Sequence, residues 1–158
     1  MPLDGSLERQ SIYIALDARP EKDEYHWGLV ITDANNTPTI HHVTNRAGPW
    51  VYEEKHEDPG SSLTLIALIR LSGVTNRAKQ IIQSAPASGN PSERTGEAFN
   101  CRIWVNDTLV SLHENGAILL PTDIDNIERQ AKRMGGKLAH RCERGEGATV
   151  VEDSLFSQ

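Results

Sequence analysis

HWGLVITDANNTPTIHHVTN, residues 26–45, predicts a β-hairpin. Apolar and smaller or polar residues alternate through residues 26–32, as in a strand with one face on the core. The turn-rich DANNTP segment (33–38) then leads into TIHHVTN (39–45), where β-branched residues flank two histidines. The predicted hairpin brings three histidines, His26, His41 and His42, onto two neighbouring strands.

The register of this hairpin determines which histidines share a face. With a turn centred near Ala34, His26 lies nearly opposite either His42 or His41. A slip of one residue exchanges the two faces of a strand, so the sequence leaves both pairings open.

The remaining segments complete a single domain over residues 1–158, with the motifs in residues 11–135. Further strands are predicted at 11–17 and 50–54, and at 62–71, where a short helix is the alternative. Helices are predicted at 75–85, at about 100–114, and from Thr122 to a Gly135-Gly136 stop; ATVV (148–151) forms at most a short strand. We expect an α+β fold in which an antiparallel sheet of about four to six strands packs against the helix at 100–114.

Composition excludes several classes of function. The 158 residues carry a formal charge of −6 without a basic stripe, which argues against a nucleic-acid partner. The apolar run 63–69 is too short to span a membrane, and the first residues lack the features of an export signal. We therefore expect a cytoplasmic protein with a small-molecule substrate and no cofactor, and the oligomeric state stays open.

Cys101 is the candidate nucleophile. EAFNCRIWVNDTLVSLHENG (97–116) places it at the start of an amphipathic helix, where the free N–H groups and the helix dipole favour a thiolate. A nucleophilic thiol also needs a base and a group that orients the base, and the hairpin histidines supply both. Two alternatives remain: a buried structural thiol, and a zinc site built from His26, His42 and Cys101.

The two quoted segments resemble the superfamily of lecithin:retinol acyltransferase and NlpC-type papain-like cysteine enzymes. Members of its permuted branch have a His-Trp strand, a second histidine one strand later and an Asn-Cys helix start downstream. Small fungal proteins with an Asn-Cys-x-x-Trp-Val segment are also similar. The resemblance implies a permuted papain-like fold, with Cys101 as the nucleophile, His26 as the general base and His42 as the orienting residue, or His41 if the register is shifted.

The resemblance further implies the reaction. It predicts a hydrolase or acyltransferase that acts on an amide, ester or thioester through a Cys101 thioester, in a setting such as fungal secondary-metabolite tailoring. The alternatives are a non-covalent cyclase or isomerase in the same pocket, and an inactive domain that binds a small molecule or a protein. Substrate contacts are predicted for Trp27, Asn100 and Trp104, whereas the acidic run EEKHED (53–58) is interpreted as a solvated face.

Overall fold

The computed structural model describes residues 3–20 and 24–157 and shows an α+β fold with one six-stranded sheet. In chain order, the strands are β1 (Ser11–Ala18), β2 (Tyr25–Thr32), β3 (Pro38–Thr44), β4 (Val51–Lys55), β5 (Leu65–Gly73) and β6 (Thr149–Val151). Their order across the sheet is β4-β3-β2-β1-β5-β6. The pairs are antiparallel except β5 with β6, which are parallel. The predicted all-antiparallel sheet is therefore wrong at one edge, because the chain returns to β6 after the last helix.

Three helices pack on one face of the sheet, which we call the helix face. They are α1 (Ala78–Ser84), α2 (Cys101–Glu114) and α3 (Ile124–Glu143). Leu16, Trp27 and Leu29 point to this face and join the main core. The opposite side, the outer face, has a smaller core around Tyr13 and Val30, which the N-terminal segment partly covers. The central strand β1 is buried on both faces from residue 11 to residue 16.

The β2–β3 hairpin has neither of the two predicted registers. Leu29 pairs with His41 and Thr32 pairs with Pro38, so the turn is centred on Asn35 rather than near Ala34. Asp33 shapes this turn, because its Oδ1 accepts hydrogen bonds from the backbone N–H groups of Asn35 and Thr37. Because the turn is longer than predicted, each histidine of β3 lies beside a later residue of β2. Successive side chains of each strand still point to opposite faces.

The strands β2 and β3 separate at the end where the histidines lie. Their paired residues run only from Leu29 to Thr32 and from Pro38 to His41, although β2 begins at Tyr25 and β3 continues to Thr44. The first half of β2 is paired on its other side, with β1. The sheet therefore has an opening between β2 and β3 beside His26 and Trp27.

The helix α3 continues through the predicted Gly135-Gly136 stop and ends at Glu143. A Cβ atom on Gly135 would lie 2.8 Å from Cζ of Tyr25, closer than side chains approach each other. Gly135 thus permits a close contact between α3 and β2, and its absent side chain has a packing function rather than a capping function.

No helix in the part of the chain that the structure describes is long and apolar enough to cross a membrane.

Candidate active site

Cys101 is the first residue of α2, at the end of the helix that packs against β2 and β3. The side chain of Asn100 caps this end by accepting a hydrogen bond of 2.9 Å from the N–H of Ile103. The thiol is 4 % exposed, so the helix holds it against the sheet rather than in open solvent. Both cysteines of the chain are free.

Two N–H donors point at the Cys101 sulfur through the opening between β2 and β3. The backbone N–H of Trp27 lies 3.4 Å from Sγ, and Nη2 of Arg19 lies 3.5 Å from it. N–H donors and a guanidinium stabilise a negative charge, so these two groups are placed to interact with the charge that develops on sulfur when a base removes its proton.

His26, on the outer face, is connected to the same guanidinium. Its Nδ1 lies 3.3 Å from Nη2 of Arg19, so one nitrogen of Arg19 contacts both the ring and the thiol. On its other side, Nε2 of His26 lies 2.7 Å from Nδ1 of His42. Nε2 of His42 in turn lies 2.8 Å from Oε1 of Glu53. A continuous chain of contacts therefore runs from Cys101 through Arg19, His26 and His42 to Glu53.

The hydrogen bonds of this chain assign the tautomer of each ring. The ionised Glu53 carboxylate only accepts hydrogen bonds, so Nε2 of His42 carries the hydrogen. Nδ1 of a neutral His42 is then an acceptor, and the hydrogen between the two rings belongs to Nε2 of His26. The lone pair of neutral His26 consequently lies on Nδ1, on the side of Arg19 and the thiol.

The charge states in this chain follow from burial and from neighbouring groups. Burial, with smaller contributions from His42 and Arg19, lowers the pKa of His26 to about 4. Burial also lowers the pKa of His42. The hydrogen bond from His42 lowers the pKa of Glu53, which keeps its carboxylate ionised. At neutral pH both rings are therefore neutral, and His26 can accept a proton.

Two clefts meet at these residues. A cleft of about 750 Å³ on the outer face contains His26 and His42, and a smaller one of about 380 Å³ surrounds Cys101. They share Arg19, Asn45 and Trp50, which lie at the edge of the opening between the strands. The histidines thus line the larger cleft and Cys101 the smaller one, and the two clefts adjoin at the opening between the strands.

His41 lies on the helix face, away from this chain. It pairs with Leu29 across the hairpin, and its Nδ1 lies 2.7 Å from the hydroxyl of Tyr52. Its alternative role as the partner of His26 is not the arrangement in this structure, because His42 occupies that place.

The three predicted substrate-contact residues have different positions. Trp27 and Asn100 line the small cleft around Cys101, although the Asn100 side chain is engaged in the helix cap. Trp104 is 1 % exposed and lies one turn further along α2, where it packs near Tyr52 and borders a different cavity. Cys101 and Trp104 share one face of α2, but Trp104 lies one turn further along the helix, where it meets Tyr52 and not the small cleft.

Two residues of the site were missed by sequence reasoning. Arg19 follows β1 directly and has no motif around it, so only the fold brings it to the thiol. The sequence predicts that Glu53 belongs to a solvated face, but the residue pairs with His42 across β3 and β4, and its side chain is 36 % exposed. The alternation of β4 was a usable signal, because Glu53 and Glu54 must point to opposite faces.

The arrangement does not have the form of a metal centre. Within residues 3–20 and 24–157, no group of three or more His, Cys, Asp or Glu side chains is placed to hold a metal ion. The zinc alternative with His26, His42 and Cys101 therefore lacks the required geometry, since His26 turns one nitrogen to His42 and the other to Arg19.

Comparisons with known proteins give a family without a known function. A model described as a family of unknown function (DUF6914) matches residues 9–148, a range that includes every residue of the chain from Arg19 to Cys101 described above. No curated protein and no solved structure matches this sequence.

Proposed function

The chain belongs to the DUF6914 family, whose function is unknown, and from the geometry of its own residues we propose that it is a cysteine-dependent hydrolase or acyltransferase. Its substrate is a small molecule with an amide, ester or thioester bond. Cys101 attacks the acyl carbon and forms a thioester, which water or a second nucleophile then resolves.

The observation that carries this proposal is the hydrogen-bonded chain from His26 to Glu53 beside the thiol. Buried structural histidines need only one satisfied partner, whereas here two rings and a carboxylate fix one another's tautomers. The result is a neutral ring whose Nδ1 lone pair accepts a hydrogen bond from Nη2 of Arg19, the same nitrogen that contacts Sγ of Cys101. A base oriented by a second group, next to a thiol at a helix N-terminus, is the arrangement that covalent catalysis requires.

In the first half-reaction, Arg19 turns its guanidinium from Nδ1 of His26 to the carbonyl oxygen of the substrate, and the thiol proton passes to Nδ1 as sulfur attacks the carbonyl carbon. A bond forms between Sγ and that carbon, and the carbonyl π electrons move to oxygen. His42 and Glu53 stabilise the resulting imidazolium through the bonds that already hold the ring. When the tetrahedral intermediate collapses, the bond to the leaving group breaks, and His26 returns its proton to that group.

The second half-reaction repeats these steps with an incoming nucleophile. Its proton passes to His26, its oxygen or nitrogen bonds to the acyl carbon, and the thiol of Cys101 is released with the proton. Arg19 and the backbone N–H groups of Cys101 and Arg102 are the donors available to the oxyanion, since these two N–H groups precede the first intrahelical hydrogen bond and the Asn100 cap engages that of Ile103.

We further propose that the fold is a permuted papain-like one of the lecithin:retinol acyltransferase and NlpC type. The support is the chain order His26, His42 and Cys101, and the position of the cysteine at the N-terminus of a helix that packs on antiparallel strands carrying the histidines.

Acylation of Cys101 tests the proposed function. The protein is incubated with a series of small acyl thioesters, and the intact mass is measured after rapid acid quenching. We expect the mass of one acyl group to appear on the wild-type protein and on Cys142→Ala, and to be absent from Cys101→Ala. A folded wild-type protein that acquires no acyl group, with unchanged thioester, would instead favour a binding domain; product formation without any acyl-enzyme would favour the non-covalent cyclase or isomerase.

A further inference from the structure

Asp17 lies on the floor of the outer cleft, next to the proposed general base. It pairs directly with His26 across β1 and β2, and both side chains line this cleft. The Cβ atoms of such cross-strand neighbours are about 5 Å apart. A group bound to Asp17 would therefore lie very close to the reacting atoms, although the mechanism above does not use this residue.

The Asp17 carboxylate has only hydroxyl partners. Its Oδ1 accepts hydrogen bonds from the hydroxyls of Thr64, at 3.1 Å, and Ser62, at 3.4 Å. Among residues 3–20 and 24–157, no lysine, arginine or histidine forms an ion pair with it. Burial raises the pKa of Asp17, as expected for a carboxylate without a counter-ion. One carboxylate oxygen is thus left without a partner from the described chain.

The cations of the cleft are committed elsewhere. Arg46 and Lys55 both approach Oε1 of Glu53, at 3.3 and 3.7 Å, on the side of β3 and β4. Arg19 contacts His26 and Cys101. Asp17 lies toward β1 and the loop that holds Ser62 and Thr64, where Lys55 acts on it only from a distance and no ion pair to it forms within residues 3–20 and 24–157.

The floor beside Asp17 leaves room for a ligand. Ala15 and Gly28 are paired across β1 and β2, next to the row that contains Asp17 and His26. A Cβ atom on Gly28 would lie 3.3 Å from the carbonyl oxygen of His41 and 3.4 Å from Cβ of His42, so glycine permits β2 and β3 to approach each other closely here. Ala15 and Gly28 both line the outer cleft, and no long side chain from these two positions covers Asp17.

We propose that Asp17 binds a primary ammonium group of the substrate, next to the acyl carbonyl that Cys101 attacks. This inference rests on the proposed function and narrows its substrate to small amides, esters or thioesters that carry a protonated amine. The ammonium supplies the counter-ion that the carboxylate lacks, and a charge-assisted hydrogen bond is stronger than one from a neutral donor. Placement by Asp17 brings the acyl group to Cys101 and His26 in a fixed orientation.

Equilibrium binding of two matched amides tests this inference. N-(2-aminoethyl)acetamide carries the ammonium, and N-propylacetamide is a neutral analogue of similar size. Titrations are followed by NMR through the backbone amide signals of Ala15 and Gly28. We expect the wild-type protein to bind the ammonium compound roughly tenfold more tightly, which corresponds to one charge-assisted contact. Asp17→Asn retains an oxygen for the two hydroxyls and should bind both compounds equally.

Two further variants separate the explanations. Thr64→Val removes one hydroxyl partner of Asp17 and should keep the preference for the ammonium compound. If Thr64→Val and Asp17→Asn lose this preference equally, the role of Asp17 is to hold the loop that contains Ser62 and Thr64. Equal binding of both compounds by the wild-type protein, or no binding of either, would overturn the inference. Because the measurement needs no turnover, Cys101→Ala should show the same preference. If Cys101 is not acylated but the protein still prefers the ammonium compound, the proposed function is wrong and the assignment of Asp17 as an ammonium site stands.

Discussion

Two adjacent histidines of β3 have similar surroundings on opposite faces of the sheet. His42 contacts His26 and Glu53 on the outer face. His41 contacts the hydroxyl of Tyr52 on the helix face, and Oε1 of Glu54 lies 3.7 Å from the same ring nitrogen. Each histidine is nearly buried, and each has a glutamate of β4 as its direct cross-strand neighbour.

The difference between them is the connection to the thiol. From His42 the contacts continue through His26 and Arg19 to Cys101, whereas from His41 they lead to Tyr52, which packs near Trp104 in the core. Burial lowers the pKa of His41 to about 4, the same value as for His26. A perturbed pKa and a carboxylate neighbour therefore do not distinguish a catalytic histidine from a structural one, but a path to a nucleophile does.

The largest expected effect is one that both faces share, a loss of stability in acid. His26 and His41 have a pKa of about 4 in the fold against an ordinary 6.5, so between these values the unfolded chain binds protons that the folded chain does not. Stability is fully present above about pH 6.5 and should fall as the pH approaches 4, by up to roughly 3 kcal/mol per histidine.

Urea unfolding at several pH values between 7 and 4 measures this loss. His41→Gln should lower the slope of unfolding free energy against pH by up to roughly 1.4 kcal/mol per pH unit, the share of one proton. An unchanged slope in this variant would show that the pKa of His41 is the same in the folded and the unfolded chain.

Replacing each histidine of β3 separately tests the comparison directly. His42→Leu should slow acylation of Cys101 by a small thioester by roughly 10- to 100-fold, because leucine cannot accept the hydrogen bond that fixes the tautomer of His26. His41→Leu should leave the rate within about twofold, since position 41 lies on the other face. Rapid-quench mass measurement gives both rates. The reverse outcome would assign the orienting role to His41 and contradict the observed register.

The glutamates of β4 offer a second matched pair with a smaller effect. Glu53→Gln should reduce the acylation rate by roughly tenfold, because His42 keeps a hydrogen-bond partner but loses the negative charge that stabilises a protonated His26. Glu54→Gln should not change the rate, and circular dichroism would establish that both variants are folded. Equal effects of the two variants would indicate that the charge of β4 acts through the whole domain rather than through His42.

The smallest effect is expected for Tyr52→Phe, a change confined to the helix face. It removes the hydroxyl that contacts His41 and should lower the free energy of unfolding by about 1 kcal/mol, the usual contribution of one hydrogen bond. The acylation rate of Cys101 should not change. A variant of unchanged stability with slow acylation would connect the helix-face cluster to the active site.

Much of the fold was predictable from the sequence, because alternation and helix caps are local signals. The strand ranges, the Asn100 cap at the start of α2 and the α+β class follow from such signals. The extent of α3 was not predictable, since Gly135 serves a contact with Tyr25 that is 110 residues away in the chain and has no local signature. Position in the fold, rather than residue type, decides whether a glycine ends a helix.

The site was predictable in its histidines and cysteine but not in its remaining groups. A face can be predicted from alternation even when the register is wrong, and for this reason His26 and His42 meet although they are not directly opposed. Arg19 and Glu53 each needed the order of strands in the sheet, which brings the end of β1 and the middle of β4 to the same opening. Those contacts are non-local and leave no spacing pattern in the sequence.

Alkylation of the two cysteines in one molecule tests whether His26 activates the thiol of Cys101. Iodoacetamide at neutral pH is followed by peptide mass spectrometry, with half-buried Cys142 as an internal reference for nearly buried Cys101. We predict that Cys101 reacts at least tenfold faster in the wild-type protein despite its lower exposure, because the reactive species is the thiolate, and that His26→Gln removes most of this advantage. Equal slow reaction of both cysteines, or a rate at Cys101 that His26→Gln leaves unchanged, would contradict the account of His26 as the base that serves this thiol.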